Sequence, residues 1–178
     1  MSQEYLEIVF NNKTIEVNTL KWEVNIMNLK DTYNLPRVWI WQQKNDGAFS
    51  NINRPISGPT FQKSLPKGQH PFQLYSQGTP NGIKITIMLE ELLEIGHKEA
   101  EYDAWFVDIE LGEQFSSGFC SINPNSKIPT LVDHSSEFPI PVFESGAILL
   151  YLAEKFFSFI PDNPHEKSQC LSWLFWQV

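Results

Sequence analysis

Three short stretches carry side chains whose types and spacing could do chemistry: Thr79-Pro80-Asn81-Gly82, Lys127-Ile128-Pro129 and Glu144-Ser145. In the first, a hydroxyl and a carboxamide stand directly ahead of an amphipathic run. If that run is a helix, its unpaired N–H groups and the positive end of its dipole stabilise an anion at this place. A thiolate would gain most from such a place, yet no cysteine stands in the stretch. The hydroxyl and amide are neutral donors suited to a thiolate that arrives on a ligand. For these two residues taken alone, plain helix caps are the plainer reading. In the second stretch, Ile128-Pro129 precedes a strand. A cis proline there would leave the N–H and C=O of Ile128 free to pair with an extended peptide, and an ordinary trans turn is the alternative. In the third, the Ser145 hydroxyl and free helix N–H groups could bind a carboxylate and Glu144 an ammonium, together the amino-acid end of a γ-glutamyl group. A first-turn cap is an equal alternative for this pair. None of the three is specific alone; their order along the chain makes the case.

The elements that must position them read as follows. Phe72 to Tyr75 alternates as a strand, and Gly78 to Gly82 breaks it. Lys84 to Ile95 has Ile85, Met88, Leu89, Leu92 and Leu93 at helical spacing, with Gly96 as the C′ residue. Tyr102 to Val107 predicts a second strand, parallel to the first through a right-handed crossover. A short helix within Gly112–Gly118, the strand Thr130–Asp133, its hairpin partner Pro141–Phe143 and a helix opened by Glu144-Ser145 complete the run. The order β-α-β-α-β-β-α is a thioredoxin-like α/β fold over residues 71–157.

The flanks read differently. Residues 1–36 form an N-terminal extension in which Leu6–Phe10 and Ile15–Val17 could pair as a hairpin around Asn11-Asn12. A disordered or poorly packed segment is favoured over it. Residues 37–70 form an irregular arm whose prolines, glycines and asparagines prevent a continuous helix, and whose Trp39, Trp41 and Phe49 call for burial on the domain that follows. After a linker at 158–165, Asn163, Pro164 and Glu166 mark a capping-box start for a last helix, residues 166–178. Cys170, Leu171, Leu174 and Phe175 form its apolar side. An amphipathic helix this short is marginal unaided, so Leu174 and Phe175 are expected to be exposed, and the chain is expected to be a fragment that stops at the beginning of an all-α C-terminal domain.

Composition excludes several classes. The 178 residues carry a formal net charge of -8 and a pI near 4.9, without the clustered cations that nucleic acid or an anionic membrane would demand. Two cysteines, Cys120 and Cys170, rule out a disulfide framework, a CxxC motif and a cysteine zinc site. The four histidines are scattered, so no metal is expected. With no signal-peptide pattern and no apolar run of membrane-spanning length, the chain is expected to be cytoplasmic.

The stretches Tyr75–Gly82, Asn123–Pro129 and Phe143–Leu152 resemble the N-terminal domain of glutathione transferases. The arm stretches Val38–Trp41 and Phe49–Pro55, with Glu113–Phe119, resemble the bacterial nu-class branch of glutathione-dependent disulfide-bond oxidoreductases, from about Arg37 onward. The resemblance implies glutathione as co-substrate and an enzyme that reduces disulfides or organic hydroperoxides with bound glutathione thiolate. It also implies two glutathiones, or one disulfide, per site and a homodimeric whole protein. In it Thr79 and Asn81, the catalytic pair, hold the sulfur, with Pro80 between them. Lys127, Ile128 and Pro129 lie along the cysteinyl backbone, Glu144 and Ser145 take the γ-glutamyl end, and Gln114 and Asn53 complete the site. Two alternatives stay open: a non-enzymatic glutathione-binding module, and conjugation of glutathione to small electrophiles.

Overall fold

The computed structural model describes residues 5–10, 13–18, 37–38, 40, 52–54 and 56–178. The chain divides into two compact units, Met1–Ile40 and Trp41–Val178. In the first, β1 (Tyr5–Phe10) pairs antiparallel with β2 (Lys13–Asn18), from Tyr5↔Asn18 to Phe10↔Lys13. This is the hairpin reading of that segment, the less favoured of the two. Trp39, Trp41 and Phe49, for which burial was expected, lie outside the described residues.

The second unit holds β3 (Phe72–Ser76), α1 (Pro80–Glu94), β4 (Tyr102–Phe106), α2 (Ser117–Ile122), β5 (Thr130–Asp133), β6 (Ile140–Phe143), α3 (Ser145–Lys155) and α4 (Pro164–Trp176). The sheet order is β4-β3-β5-β6, with β3 parallel to β4 and β5 antiparallel to both its neighbours. That is the thioredoxin-like arrangement the pattern predicts. Helix α1 begins at Pro80, four residues before the expected start at Lys84, because a proline at the first helical position needs no N–H partner and arrives with helical φ. The stretch 112–118 is a single 3₁₀ turn, Glu113–Phe115, followed by α2.

Alternation along β3 sends Phe72 and Leu74 to one face of the sheet and Tyr75 to the other. Against the first face lie Ile85, Leu89 and Leu92 of α1 and Ile148 and Leu152 of α3, all without solvent exposure. Each such side chain contributes roughly 1.5–3 kcal/mol by leaving water, so this layer is what fixes the two helix N-termini at one end of the sheet. On the opposite face Tyr75 packs with Val107, Val132 and Phe119 of α2. Gly82 sits where a Cβ would stand 2.2 Å from the Gln77 carbonyl oxygen; only glycine lets the first turn of α1 seat against that loop. Gly96 ends the helix at φ +101, with its N–H on Leu93 O and that of His97 on Leu92 O, a Schellman closure.

Helix α4 starts as the sequence requires, Asn163 Oδ1 accepting from the N–H groups of His165 and Glu166. Its Cys170, Leu171 and Leu174 are half-buried and share a depression with Met88, Leu149 and Phe159. Leu174 therefore does not stand out in solvent as expected. Phe175 is exposed as expected (67%), and so are Trp173 (68%) and Trp176 (78%), with the two indoles edge to face at 5.7 Å.

Candidate functional site

The first corner is the N-terminus of α1. Thr79 is the N-cap, in extended conformation, and its Oγ1 accepts the Gly82 N–H at 3.2 Å. The first turn holds no acidic residue, while Lys84 donates from Nζ to Asn81 Oδ1 at 2.9 Å. A positive dipole end, a cation one turn along and a hydroxyl at the cap make this corner favourable for a thiolate. Thr79 is half-buried, and Pro80 and Asn81 are exposed. The cap reading of Thr79 and the anion reading are compatible, because a hydroxyl that accepts one bond can still donate another.

The second corner lies beside β5. The Ile128–Pro129 peptide is cis, and among the described residues no hydrogen bond engages the Ile128 backbone. Asn123 organises the approach: its Nδ2 donates to Lys127 O at 2.6 Å and Thr130 Oγ1 at 3.0 Å, and its Oδ1 accepts from Asn125 N at 2.9 Å. Lys127 reaches the arm, donating to Asn53 Oδ1 and to Ile52 O at 3.5 Å. Between arm and loop is a cavity of about 320 Å³ whose polar lining includes Asn53, Arg54, Asn125, Ser126 and Lys127.

Arg54, to which the sequence gave no role, is the main addition. Its guanidinium lies 4.0 Å over the Phe115 ring, donates to Gly58 O and reaches 3.9 Å from Cys120 Sγ. Its Nη1 is buried and unpartnered among the described residues. The arm also carries Arg37, Lys44, Lys63 and Lys67, so no charge pattern in the sequence singles Arg54 out.

The third corner is the N-terminus of α3. Glu144 caps it at φ +70, a left-handed conformation for a residue with a side chain, and Asn125 Nδ2 donates to its Oε1 at 2.8 Å. Holding a non-glycine residue there costs on the order of 1–3 kcal/mol. Ser145 behind it is only 5% exposed. Asn125 thus joins the second corner to the third, a link no local pattern reveals.

Gln114 is placed differently from the rest. It is 1% exposed, its Nε2 faces Ile109 O at 3.4 Å, and its Oε1 is buried and unpartnered among the described residues. It is the middle residue of the 3₁₀ turn, with its side chain turned inward, and is not part of the cavity lining. The structure therefore brings together Asn53, Lys127 and, through Asn125, Glu144. Thr79, Pro80 and Asn81 occupy their own corner, and Gln114 is interior.

Residues 70–154 match the family model described as glutathione S-transferase, N-terminal domain. The chain is 60% identical over 146 residues to the disulfide-bond oxidoreductase YghU of Escherichia coli, covering 82% of this chain and 51% of that protein. Among solved structures it is similar to glutathione transferase YghU of Streptococcus pneumoniae, crystallised in complex with glutathione, at 56% identity and a TM-score of 0.77, covering 82% of this chain and 56% of the other. A glutathione transferase from Pseudomonas putida, with one glutathione disulfide bound per subunit, superposes at 42% identity and a TM-score of 0.55 over 61% and 45% of the two chains. The chain spans about half the length of the curated relatives it matches. Sheet order, helix placement and these likenesses agree: through the N-terminal-domain fold of residues 70–154, the chain belongs to the glutathione transferase superfamily.

Proposed function

We propose that the three corners bind one glutathione, sulfur at Thr79 and Asn81, cysteinyl backbone at Ile128, γ-glutamyl end at Glu144 and Ser145, and that its thiolate reduces disulfides. The observation that carries this is the α1 N-terminus: a hydroxyl cap, no acidic residue in the first turn and no cysteine. A helix end of that kind supports an ionised sulfur that must come from outside the chain. The relative named a disulfide-bond oxidoreductase and the relatives holding glutathione or its disulfide support the same direction.

The electron balance is simple. A glutathione thiolate attacks one sulfur of the substrate disulfide, forming a mixed disulfide and expelling a substrate thiolate. A second glutathione thiolate attacks the glutathione sulfur of that mixed disulfide, releasing the other substrate thiolate and glutathione disulfide. An organic hydroperoxide enters the same scheme as the two-electron acceptor, leaving as alcohol and water. Neither route uses a protein thiol. Replacing both Cys120 and Cys170 by alanine is therefore expected to leave disulfide reduction within about twofold of the parent. Loss of reduction in a variant that still folds and still binds glutathione would overturn the mechanism. Homodimerisation belongs to the same proposal and is read by sedimentation at micromolar concentration.

A further inference from the structure

Residues 58–70 have no helix and one isolated bridge, Phe61↔Ser116, yet they are stitched down along their length. Thr60 N donates to Phe115 O, Ser117 N to Phe61 O and Gly118 N to Lys63 O, each at 2.9 Å. Lys63 N donates to Ser117 Oγ at 3.1 Å, and the Lys63 ammonium pairs with Glu113. Glu113 Oε2 also accepts the Asp108 N–H at 2.9 Å, so one carboxylate ties the segment to the turn that carries Gln114 and Phe115. Farther on, Tyr75 Oη donates to Pro66 O at 2.6 Å. At the end, Gly68 N and His70 N are held by Gln73 Oε1 and Asp103 Oδ2, both at 2.8 Å. The other end delivers Arg54 to Phe115 and Asn53 to Lys127.

One residue makes this path possible. A Cβ on Gly118 would stand 2.7 Å from Lys63 O and 2.8 Å from Leu65 N. Both obstructing atoms are backbone, so no rotamer change relieves the clash. Gly118 has no positive φ, and alanine would otherwise suit a helix better than glycine does. The glycine is explained by the chain that crosses it.

We propose that residues 58–70 act as a positioning strap for the glutathione site: docked across Gly118, they set the Gln114–Phe115 turn and hold Asn53 and Arg54 at the Lys127 corner. Gly118 and Lys63 are positioning residues in this scheme. The inference rests on the glutathione reading above only for the identity of the ligand; the docking itself is independent of it.

The test uses the whole chain with Gly118→Ala, Lys63→Met and Lys63→Arg, read by amide hydrogen exchange and by calorimetric titration with reduced glutathione. For Gly118→Ala, the amides of residues 117 and 118 are expected to exchange at least about tenfold faster, while the Cys120 amide inside α2 and the Asn123 amide at its C-cap keep their protection. The glutathione Kd is expected to rise about tenfold. Lys63→Met is expected to raise Kd about threefold, a half-exposed pair being worth little more, and Lys63→Arg to restore it. Unchanged Kd in Gly118→Ala with faster exchange at residues 117 and 118 would overturn the strap's role in binding. Unchanged exchange would overturn the docking. If Gly118→Ala loses all protection, the two lysine variants decide: equal Kd for Met and Arg overturns the proposal. A parent chain that binds no glutathione, with the exchange pattern as expected, contradicts the ligand assignment and leaves the docked strap standing.

Discussion

Lys127, one residue before the cis Ile128–Pro129 bond, and Asn53, 74 positions earlier, share a hydrogen bond from ammonium to carboxamide. Through it the irregular arm and the loop before β5 meet around one cavity. Two cations, Arg54 and Lys127, line that cavity in a chain whose formal net charge is -8. A local reversal of the global charge is how an acidic protein attracts an anionic ligand to one place.

Lys127→Met is therefore expected to weaken glutathione binding by about fivefold to tenfold, the loss of one charge-assisted hydrogen bond and of the arm contact together. Raising salt from 50 to 500 mM should weaken the parent more than the variant. Isothermal titration at the two salt concentrations checks both.

At Thr79 stability and function separate. Thr79→Ala removes the cap of α1 and should cost about 1 kcal/mol in denaturant unfolding. Thr79→Ser keeps the hydroxyl and should keep both stability and binding. If alanine loses only stability and glutathione affinity is untouched, Thr79 is a cap and nothing more.

Glu144 predicts the opposite sign. Its φ of +70 suits glycine, so Glu144→Gly should relieve strain and raise stability by up to about 1 kcal/mol, once the entropy of glycine is counted. The same change removes the carboxylate that Asn125 orients and should weaken glutathione binding by about tenfold or more. A variant that melts higher and binds less well is the expected signature.

Acid stability rests on groups away from the site. Hydrogen bonds from the Gln73 side chain and the His70 backbone hold Asp103 down to about 2 from an ordinary 3.8. At Asp133 burial raises the carboxyl, but hydrogen bonds from Lys155, Tyr151 and Ser135 outweigh it and the net shift is downward. A depressed carboxylate stabilises the fold above its unfolded pKa and stops doing so as pH falls through its folded one. Thermal stability should thus hold down to about pH 4 and fall between about pH 4 and 2. Asp103→Asn should be less stable than the parent at neutral pH and lose less over that interval. A parallel decline of parent and variant would show that Asp103 contributes nothing to it.

What the chain revealed by itself was its local chemistry. Periodicity from Ile85 to Leu93 located α1, and Thr79-Pro80 and Asn163-Pro164 located two helix starts, because caps and apolar faces are written within a few residues. The partners of Lys127, Arg54 and Glu113 lie 74, 66 and 50 positions away, and pairings at that range leave no periodic trace. For the same reason Asn125, the link between two corners, and Gly118, the crossing point of the strap, carried no signal. Gln114 enters the expected site only through the family resemblance, and packing, which no local pattern records, turns its carboxamide inward to Ile109.

The central claim is that the sulfur at Thr79 comes with the ligand and is held there as a thiolate. The most direct measurement is the thiolate ultraviolet absorbance of reduced glutathione titrated with the Cys120→Ala, Cys170→Ala chain between pH 5 and 9. The account predicts a bound thiol that ionises well below the value of about 8.5 for a free thiol. That shift should persist in a Thr79→Ser background and shrink in Thr79→Ala. A bound glutathione that ionises like the free molecule, or one whose titration ignores Thr79, would contradict it.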